Sequence, residues 1–311
     1  MRITDVFYPE SPLARATVWL LNTTLIVSAV ILALVTVLVV ISIIRFRARP
    51  GDGEPRQVTG HKRLEIAWTV APLLLLVYLF VLTVQAMKAS DPPGKSQPPD
   101  IVVVGHQFWW EVRYPKSGVV TANEIHIPTG KRLLVELRTA DVIHNLWVPR
   151  LSRKMDMIPD RANLMWLQAS EPGVYHGVCS EFCGTQHAWM RILVVAEPAE
   201  LFEAWQRSQL EPVTPAADLA SAQRGAQLLE QLTCVNCHAI DQRTIGMQAG
   251  PDLRHVRTRR TLGAGMVENT PANLARWLKN PQAMKPGNLM PNMHLTDQQV
   301  TDLVNYFLTA P

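Results

Sequence analysis

The segment CSEFCGTQHAWM, residues 179–190, places two cysteines, a histidine and a methionine within one short stretch of chain. Cys179 and Cys183 are four residues apart, His187 follows four residues later, and Met190 three after that. A tight loop between two strands can therefore direct all four side chains to one place. Thiolate, imidazole and thioether groups form a soft set of ligands, which favours copper over zinc or calcium.

The second cysteine distinguishes this pattern from a mononuclear blue-copper site, which uses one cysteine. Two thiolates can bridge two copper ions, and the second ion then needs an imidazole of its own. The segment DVIHNLWVP offers His144 on an earlier strand. A Cys179–Cys183 disulfide and a zinc site are the alternatives, but neither requires a methionine at a fixed offset.

Composition and hydropathy indicate a membrane protein. The chain has 311 residues, of which 48% are hydrophobic and only 18% charged, and its net charge of +4 is too small to indicate nucleic acid as a partner. Residues 16–44 and 66–87 contain no charged side chain, and each segment is long enough to cross a bilayer of roughly 30 Å as a helix. Two buried core helices are the alternative, but helices of soluble proteins rarely lack a polar face.

The distribution of basic residues predicts how the two apolar segments are oriented. Arg2 and Arg15 precede the first segment, whereas the connection between the segments carries Arg45, Arg47, Arg49, Arg56, Lys62 and Arg63. Because Lys and Arg are retained on the cytoplasmic side, we expect this connection inside and both chain ends outside. Residues 1–15 do not resemble a cleavable signal, so either the first span serves as a signal anchor or processing preceded this sequence.

Two proline-rich segments, residues 90–100 and 210–218, divide the exterior part of the chain. The part between them consists of short β-rich runs, which predict an all-β sandwich. The part after them has helical periodicity with Thr or Ser starts and Pro stops, which predicts a small α-helical domain. The predicted organisation is an exterior tail (1–15), a transmembrane hairpin (16–89), a β-sandwich (90–198), a linker (199–220) and a helical domain (221–311).

The segment CVNCH, residues 234–238, has the C-x-x-C-H form of c-type haem attachment. In this motif Cys234 and Cys237 bind the haem covalently and His238 ligates the iron. A redox dithiol is the alternative for such a motif in isolation. If the haem interpretation holds, all four cysteines of the chain are used, two by copper and two by haem.

Residues 16–198 resemble subunit II of haem-copper cytochrome c oxidases, because the hairpin, GHQFWWEVRY, DVIHNLWVP and CSEFCGTQHAWM follow in that family's order. The resemblance implies a cupredoxin-like sandwich that binds the binuclear copper centre CuA. The side-chain ligands that it implies are His144, Cys179, Cys183, His187 and Met190, with Glu181 contributing its backbone carbonyl. The carboxylate of Glu181 would face subunit I and share a magnesium ion with it.

Residues 221–311 resemble class I cytochromes c, since RGAQLLEQL, CVNCH, GPDL and KPGNLMPNM occur in the expected order. The resemblance implies a sixth iron ligand before Pro291, and therefore Met290. A thioether ligand at this position is expected to raise the haem potential. Met293 and His294 are near enough in sequence to compete for this position.

Pro251, in GPDL, is expected to orient His238 through its backbone carbonyl. An ordinary turn at this proline is the alternative.

Glu65, near the start of the second apolar segment, matches a family position associated with proton uptake from the inner side. Its alternative role is stabilisation of a helix N-terminus. The aromatic run Phe108, Trp109 and Trp110 could conduct electrons or simply pack within a strand.

Phe108 departs from the family's usual tryptophan, through which external cytochrome c passes its electron. The basic segment PRLSRK, residues 149–154, would also repel a basic cytochrome c. Both features make the usual docking route doubtful.

Together the two resemblances identify the chain as a member of the caa3-type cytochrome c oxidase subunit II family. They imply electron flow from an external donor, such as a cytochrome c or an upstream complex, through haem c and CuA to haem a, haem a3 and CuB of subunit I. That subunit would reduce O2 to water with proton translocation, and subunit III is a further implied partner. The implied location is the bacterial inner membrane, with the copper and haem domains on the outer face.

Two other functions fit some of these features. One is the CuA and haem c subunit of a nitric oxide reductase, and the other is a stand-alone membrane-anchored electron shuttle or copper carrier. Quinol-oxidising relatives lack the copper ligands, which argues against that activity.

Overall fold

The computed structural model describes residues 3–51, 53–54, 57, 60–92, 97–213, 216, 219–241 and 249–309. It divides into two compact units. One unit is Arg15–Asp91, and the other combines Met1–Ala14 with Pro92–Pro311. The two predicted apolar helices, the β-sandwich and the helical domain are all present.

The first unit consists of two long helices, α1 (Pro12–Arg45, whose first residues belong to the other unit) and α2 (Lys62–Ser90). Both are long and apolar enough to cross a membrane by length and composition. Their apolar side chains lie at the surface rather than in a protein core: the most apolar window is 0% buried in α1 and 6% buried in α2. This exposure is what a bilayer-facing helix requires and is unlike the buried core helix of a soluble protein.

The start of α2 carries a reciprocal cap. The His61 side chain accepts a hydrogen bond from the Leu64 amide at 3.3 Å, and Glu65 Oε1 accepts one from the His61 amide at 3.0 Å. Two amides at the helix start are thereby satisfied. Glu65 therefore has a capping role at this helix start, while its role in proton uptake stays a prediction.

The sandwich is built from two five-stranded sheets, ordered β3-β2-β1-β5-β8 and β4-β10-β9-β6-β7. The pairs β1/β5 and β4/β10 are parallel, and the other neighbours are antiparallel. The strands are β1 Ile101–His106, β2 Trp109–Tyr114, β3 Val119–Ala122, β4 Glu124–Pro128, β5 Leu133–Thr139, β6 His144–Trp147, β7 Met155–Met157, β8 Asn163–Leu167, β9 Gly173–Cys179 and β10 Arg191–Glu197. This is the all-β sandwich that the short β-rich runs predict.

The sandwich core lies between the two sheets. Trp110, Ile125 and Leu137 are fully buried in it, and the cluster extends to Cys179, Cys183 and Met190 at one end. The segment that carries the metal-ligand pattern therefore rests directly on the core, which holds its side chains in place.

The elements of the helical domain are α4 Ala220–Gln231, α5 Pro271–Lys279, α6 Pro281–Met284 and α7 Asp297–Thr309, with a small hairpin of β11 Thr261–Leu262 and β12 Val267–Glu268 between α4 and α5. In the described part of this domain, three helices, α4, α5 and α7, pack around a second core. Helices α4 and α7 pack against each other, and the Arg224 guanidinium donates to both carboxylate oxygens of Asp302, at 3.0 and 2.8 Å. Such a bidentate pair fixes the relative orientation of the two helices.

A helix also occupies the first half of the segment predicted to be a linker. Helix α3, Ala199–Ser208, packs on the sandwich through Phe202 and Trp205. The Trp205 ring stacks on His126, with ring centroids 3.9 Å apart and planes at 6°, and meets Tyr114 edge-on at 5.3 Å. A flexible connection can therefore begin only after this helix.

Replacing Trp205 tests how firmly α3 belongs to the sandwich. We expect Trp205→Ala to lower the free energy of unfolding by roughly 2–3 kcal/mol, less than for a fully buried tryptophan because Trp205 is only half-buried. Leu201→Ala, on the same helix but 59% exposed, should change it by less than about 0.5 kcal/mol. Urea unfolding of residues 97–311 measures both. Equal effects would mean that α3 is not docked.

Candidate metal centre and haem-attachment site

The candidate metal loop is closed by the ends of two neighbouring strands. Cys179 is the last residue of β9, and Met190 immediately precedes β10. The Cys179 amide donates to the Met190 carbonyl at 3.0 Å. His144 begins β6, which pairs with β9 so that Leu146 lies opposite Cys179. Strand pairing therefore brings the predicted ligands to the same end of one sheet.

The Cys179 thiol is the centre of one half of the site. His144 Nδ1 lies 3.8 Å from Cys179 Sγ, and the Glu181 carbonyl oxygen lies 3.2 Å from it. The ligand atoms of His144, Cys179 and Cys183 all fall within 4.8 Å of one another, and all three residues are buried. The Glu181 carbonyl oxygen therefore lies beside the Cys179 thiol, while the residue itself is exposed.

The Cys183 thiol is the centre of the other half. His187 Nδ1 lies 3.7 Å from Cys183 Sγ, and Met190 Sδ lies 3.8 Å from it. Each sulfur therefore has its own imidazole. The structure brings together all the residues that the sequence predicts for this site.

The two thiols lie 3.9 Å apart, far beyond the roughly 2.05 Å of a disulfide bond. A hydrogen bond from Cys183 lowers the pKa of the Cys179 thiol. The same contact, together with burial, raises the pKa of Cys183. Without cations the contact therefore favours one thiolate over two. A metal at roughly 2.3 Å from each sulfur fits this separation, so the donor set suits a thiolate-bridged metal pair.

A carboxylate fixes the orientation of His144. Asp141 Oδ1 lies 2.8 Å from His144 Nε2, and the backbone amide of Gln107 donates to Asp141 Oδ2 at 2.7 Å. Burial alone would lower the pKa of His144, but the hydrogen bond to Asp141 outweighs it and raises that pKa. With its Nε2 proton donated to Asp141, His144 keeps the Nδ1 lone pair for a metal.

Close packing holds the same ring from the other side. A Cβ at Gly105 would lie 2.8 Å from His144 Cδ2, so a glycine is required where β1 passes the imidazole.

Asp141 and Gln107 contact the candidate site, and the sequence analysis did not assign them. Asp141 stands three residues before His144 within DVIHNLWVP, and this spacing was the available signal. Gln107 Nε2 donates to the Cys183 carbonyl at 2.5 Å. This hydrogen bond joins residues that are distant in sequence, so no local pattern predicts it.

A second site is a largely apolar cavity in the helical domain. Cys234, Cys237, His238, Met290 and Met293 all line it, together with leucines of α4, α5 and α7. The cavity also reaches the sandwich, where Gln107, Phe108, Trp109 and Asn123 form part of its wall. An apolar cavity with two cysteines and a histidine in its wall suits a covalently attached haem.

The His238 imidazole is prepared for a metal. Its Nδ1 donates to the Pro251 carbonyl at 2.6 Å, the hydrogen bond that the sequence predicts, and this leaves Nε2 free to ligate. Burial lowers the pKa of His238, which favours the neutral ring. A Cβ at Gly250 would lie 2.5 Å from His238 Cε1, so only glycine leaves room for the ring here.

The candidates for the opposite iron ligand differ in their surroundings. Met290 is fixed on both sides of its backbone, because its amide donates to Asn288 Oδ1 and its carbonyl accepts from Gln282 Nε2, each at 2.8 Å. Met293 packs against the core of the helical domain. His294 is exposed. This arrangement favours Met290, and Met293 remains the competing candidate.

The aromatic run beside the cavity is buried, with Phe108 and Trp109 each 7% exposed and Trp110 fully buried. Trp109 stacks on His106 with ring centroids 4.2 Å apart. Trp110 lies 6.1 Å from the His144 ring. Phe108 packs against Gly184 of the metal loop while lining the haem cavity. All three aromatic side chains are therefore packed in the protein interior, and Phe108 also contacts both candidate sites.

One fully buried lysine, Lys285, was not singled out in the sequence. It follows α6, and burial lowers the pKa of its ammonium to about 8. No sequence pattern indicates that Lys285 is buried, because the segment KPG is typical of an exposed turn.

A β-sandwich with a two-cysteine metal loop, joined to a helical domain with a C-x-x-C-H segment, defines a cupredoxin-like electron-transfer protein. Three family models match the chain in order: the transmembrane domain of cytochrome c oxidase subunit II at residues 7–85, its periplasmic domain at 116–197, and cytochrome c at 222–311. The chain belongs to the cytochrome c oxidase subunit II family, and its fused cytochrome c domain makes it the caa3 type.

Curated relatives are similar over most of their length. The chain is 37% identical to cytochrome c oxidase subunit 2 of Alkalihalophilus pseudofirmus, covering 96% of this chain and 88% of that protein. It is 34% identical to the subunit of Bacillus sp. PS3 and 33% identical to that of Bacillus subtilis, each over 85% of this chain and 79% or 80% of the relative. The matched domains imply CuA and haem c as cofactors, and other oxidase subunits as partners.

Replacing one bridging candidate tests the copper assignment. We expect Cys183→Ser to abolish the mixed-valence electron paramagnetic resonance signal of a copper pair, because a hydroxyl cannot replace the shared thiolate. The haem c absorption should be unchanged, since the Cys234 and Cys237 site is separate. Survival of the mixed-valence hyperfine pattern in this variant would refute the ligand assignment.

The two methionines can be separated spectroscopically. Met290→Ala should remove the weak near-infrared sulfur-to-iron band of the oxidised haem and lower its potential, because a thioether ligand is lost. Met293→Ala is the matched control and should retain both properties. The reverse result would assign Met293 as the sixth ligand of the haem iron.

Proposed function

We propose that this subunit accepts electrons from an external donor and delivers them to subunit I for reduction of O2 to water with proton translocation. When bound, haem c held by Cys234, Cys237 and His238, and CuA held by the 179–190 loop and His144, supply one-electron chemistry in that order. Met290 completes the haem site. The external donor is a cytochrome c or an upstream respiratory complex.

The observation that carries this proposal is that the two candidate sites adjoin. Phe108 lines the haem cavity and packs on Gly184 of the metal loop. Its neighbour Gln107 also lines the cavity and donates through Nε2 to the Cys183 carbonyl at 2.5 Å. Gln107 and Phe108 therefore supply a covalent and hydrogen-bonded connection between the sites. Trp109 and Trp110 support this wall by packing.

The exposed side of the metal loop supports a contact with subunit I. Glu181 is exposed, and Phe182 is 76% exposed although it is a large apolar residue beside the site. A large exposed aromatic next to a redox centre is typical of a subunit interface. We assign this face to subunit I, with the Glu181 carboxylate sharing its magnesium ion. Subunit III is the further partner that the family implies.

We assign α1 and α2 to the bacterial inner membrane, with the sandwich and the helical domain on its outer side. Support comes from the two apolar helices and the excess of Lys and Arg in the connection between them. Glu65 at the start of α2 would then lie on the inner side, where proton uptake begins.

The basic segment 149–154 carries less free charge than its composition indicates. The Arg150 guanidinium donates to Glu10 Oε1 at 2.7 Å and lies over the Tyr175 ring at 5.3 Å from its centroid. The stronger obstacle to an external cytochrome c is therefore burial of Phe108 beneath the helical domain. Trp109 is covered in the same way, in one apolar cluster with Ala264 of that domain.

A truncated chain tests the route of electron delivery. Ending the chain after Pro212 keeps α3 and every candidate copper ligand but removes the haem-attachment residues. Because a tethered donor acts at an effective concentration of roughly millimolar, we expect soluble basic cytochrome c at about 10 micromolar to reduce CuA about 100-fold more slowly in this chain than the fused haem does in the intact one. Stopped-flow absorption measures both rates.

A small diffusible reductant is the control and should reduce CuA equally in both chains. If external cytochrome c reduces CuA equally fast in both, the fused haem is not the obligatory route.

A further inference from the structure

The Lys285 ammonium is buried between the helical domain and the sandwich. The side chain is 1% exposed, and lysine is almost never fully buried without partners. Its Nζ donates to three backbone carbonyls, those of Phe108 at 3.0 Å, Trp189 at 3.0 Å and Gly263 at 2.8 Å. An ammonium has three donors, so all of them are satisfied without a carboxylate.

The three carbonyls belong to the parts of the molecule that build the two cofactor sites. Phe108 forms the wall of the haem cavity. Trp189 lies between His187 and Met190 of the metal loop. Gly263 belongs to the turn between β11 and β12 and also lines the haem cavity. One charged group therefore joins both sites at a single point.

The surrounding contacts are polar and specific. The Gln186 side-chain amide donates to the Pro286 carbonyl, and a Cβ at Gly287 would lie 3.0 Å from Thr185 Oγ1. Residues 185–186 of the metal loop thus meet residues 286–287, which directly follow Lys285. The ammonium is therefore flanked by a continuous contact between the two domains.

Backbone amides make further interdomain contacts. The Arg191 amide donates to the Ala264 carbonyl at 3.0 Å. The buried Glu124 carboxylate accepts from the amides of Arg260 and Thr261, the latter at 3.2 Å. These amides report directly on whether the domains are docked.

We propose that Lys285 is a positioning residue that locks the fused cytochrome c domain onto the sandwich in one pose, with the haem cavity held against the metal loop. Charge-assisted hydrogen bonds in a water-excluded contact are strong and geometrically demanding. Because electron transfer weakens steeply with distance, a fixed pose sets its rate. The electron-transfer part of this inference rests on the proposed function, whereas the docking part does not.

The test uses the intact oxidase and replaces Lys285 with methionine, which fills similar space but donates no hydrogen bond. Lys279→Met is the matched control, because Lys279 bonds only within the helical domain among its described contacts, to Asp297 at 2.6 Å and the Leu295 carbonyl at 2.9 Å. Lys285→Arg, which keeps the charge and the donors, should restore part of any loss.

The first measurement is hydrogen–deuterium exchange at the amides of Arg191, Arg260 and Thr261. In Lys285→Met we expect exchange to be faster by about tenfold or more, because the docked state opens more often. The control variant should match the parent. Unchanged protection in Lys285→Met would overturn the docking proposal regardless of what the cofactors do.

The second measurement is the transfer of one electron from photoreduced ferrous haem c, which becomes ferric, to oxidised CuA, which becomes reduced by one electron. We expect Lys285→Met to slow this step by about tenfold or more, since small displacements of reacting groups are costly. The copper and haem spectra should be unchanged, as should CuA reduction by a small reductant. An unchanged transfer rate despite faster amide exchange would overturn the positioning role.

Two further outcomes remain distinguishable. If the parent enzyme shows no transfer from haem c to CuA, the proposed function fails, while the exchange measurement still decides the docking of Lys285. If Lys285→Met does not bind its cofactors, Lys285→Gln, which keeps an uncharged donor, takes its place in both measurements. Failure of both variants to bind cofactors would assign Lys285 to folding and overturn the proposal.

Discussion

The hydrogen bond from the Cys179 amide to the Met190 carbonyl, 3.0 Å long, is the constraint on which the functional part of the structure depends. It closes the segment between β9 and β10 into a loop whose two ends are held by a sheet. The ligand atoms within the loop then have little freedom, because Cys179 and Met190 are also part of the sandwich core. A rigid frame of this kind favours electron transfer, since few atoms need to move when the charge changes.

Three buried polar groups near the two sites have partners that explain the architecture. Asp141 orients His144, the Pro251 carbonyl orients His238, and three carbonyls surround the Lys285 ammonium. Burial makes an unsatisfied group costly. The thiol pair is the exception, because protein groups alone stabilise only one thiolate. The pocket therefore suits cations, whereas the lysine contact is complete without them.

The sequence predicts those parts of the site whose residues lie close together in the chain. The 179–190 loop and residues 234–238 have spacings that the chemistry of their cofactors demands, and the structure brings the corresponding side chains together. His144 lies outside the 179–190 loop, and it was predictable only because it belongs to the motif DVIHNLWVP. Gln107 was not predictable, since folding of the sandwich brings it to Cys183 from far away in the sequence. Lys285 was not predictable, since Phe108 and Trp189 reach it only by the docking of two domains.

Helix α3 shows the same limit for domain boundaries. Its sequence, AELFEAWQRS, lies between two domains, and its polar composition reads as a connection. The aromatic side chains Phe202 and Trp205 nevertheless find a complementary surface at Tyr114 and His126. Packing against the sandwich therefore decides that this segment is a docked helix, because a short helix is only marginally stable by itself.

The position of α3 also determines how many oxidases one fused haem domain can serve. The connection between the two domains runs from the end of α3 at Ser208 to the start of α4 at Ala220, and a fully extended chain of that length spans at most roughly 40 Å. A cytochrome c domain released from its docked pose would stay within this radius of its own sandwich. Under the proposed function, the donor would therefore serve one complex only, and its ratio to the copper centre would be fixed by the gene rather than by expression level.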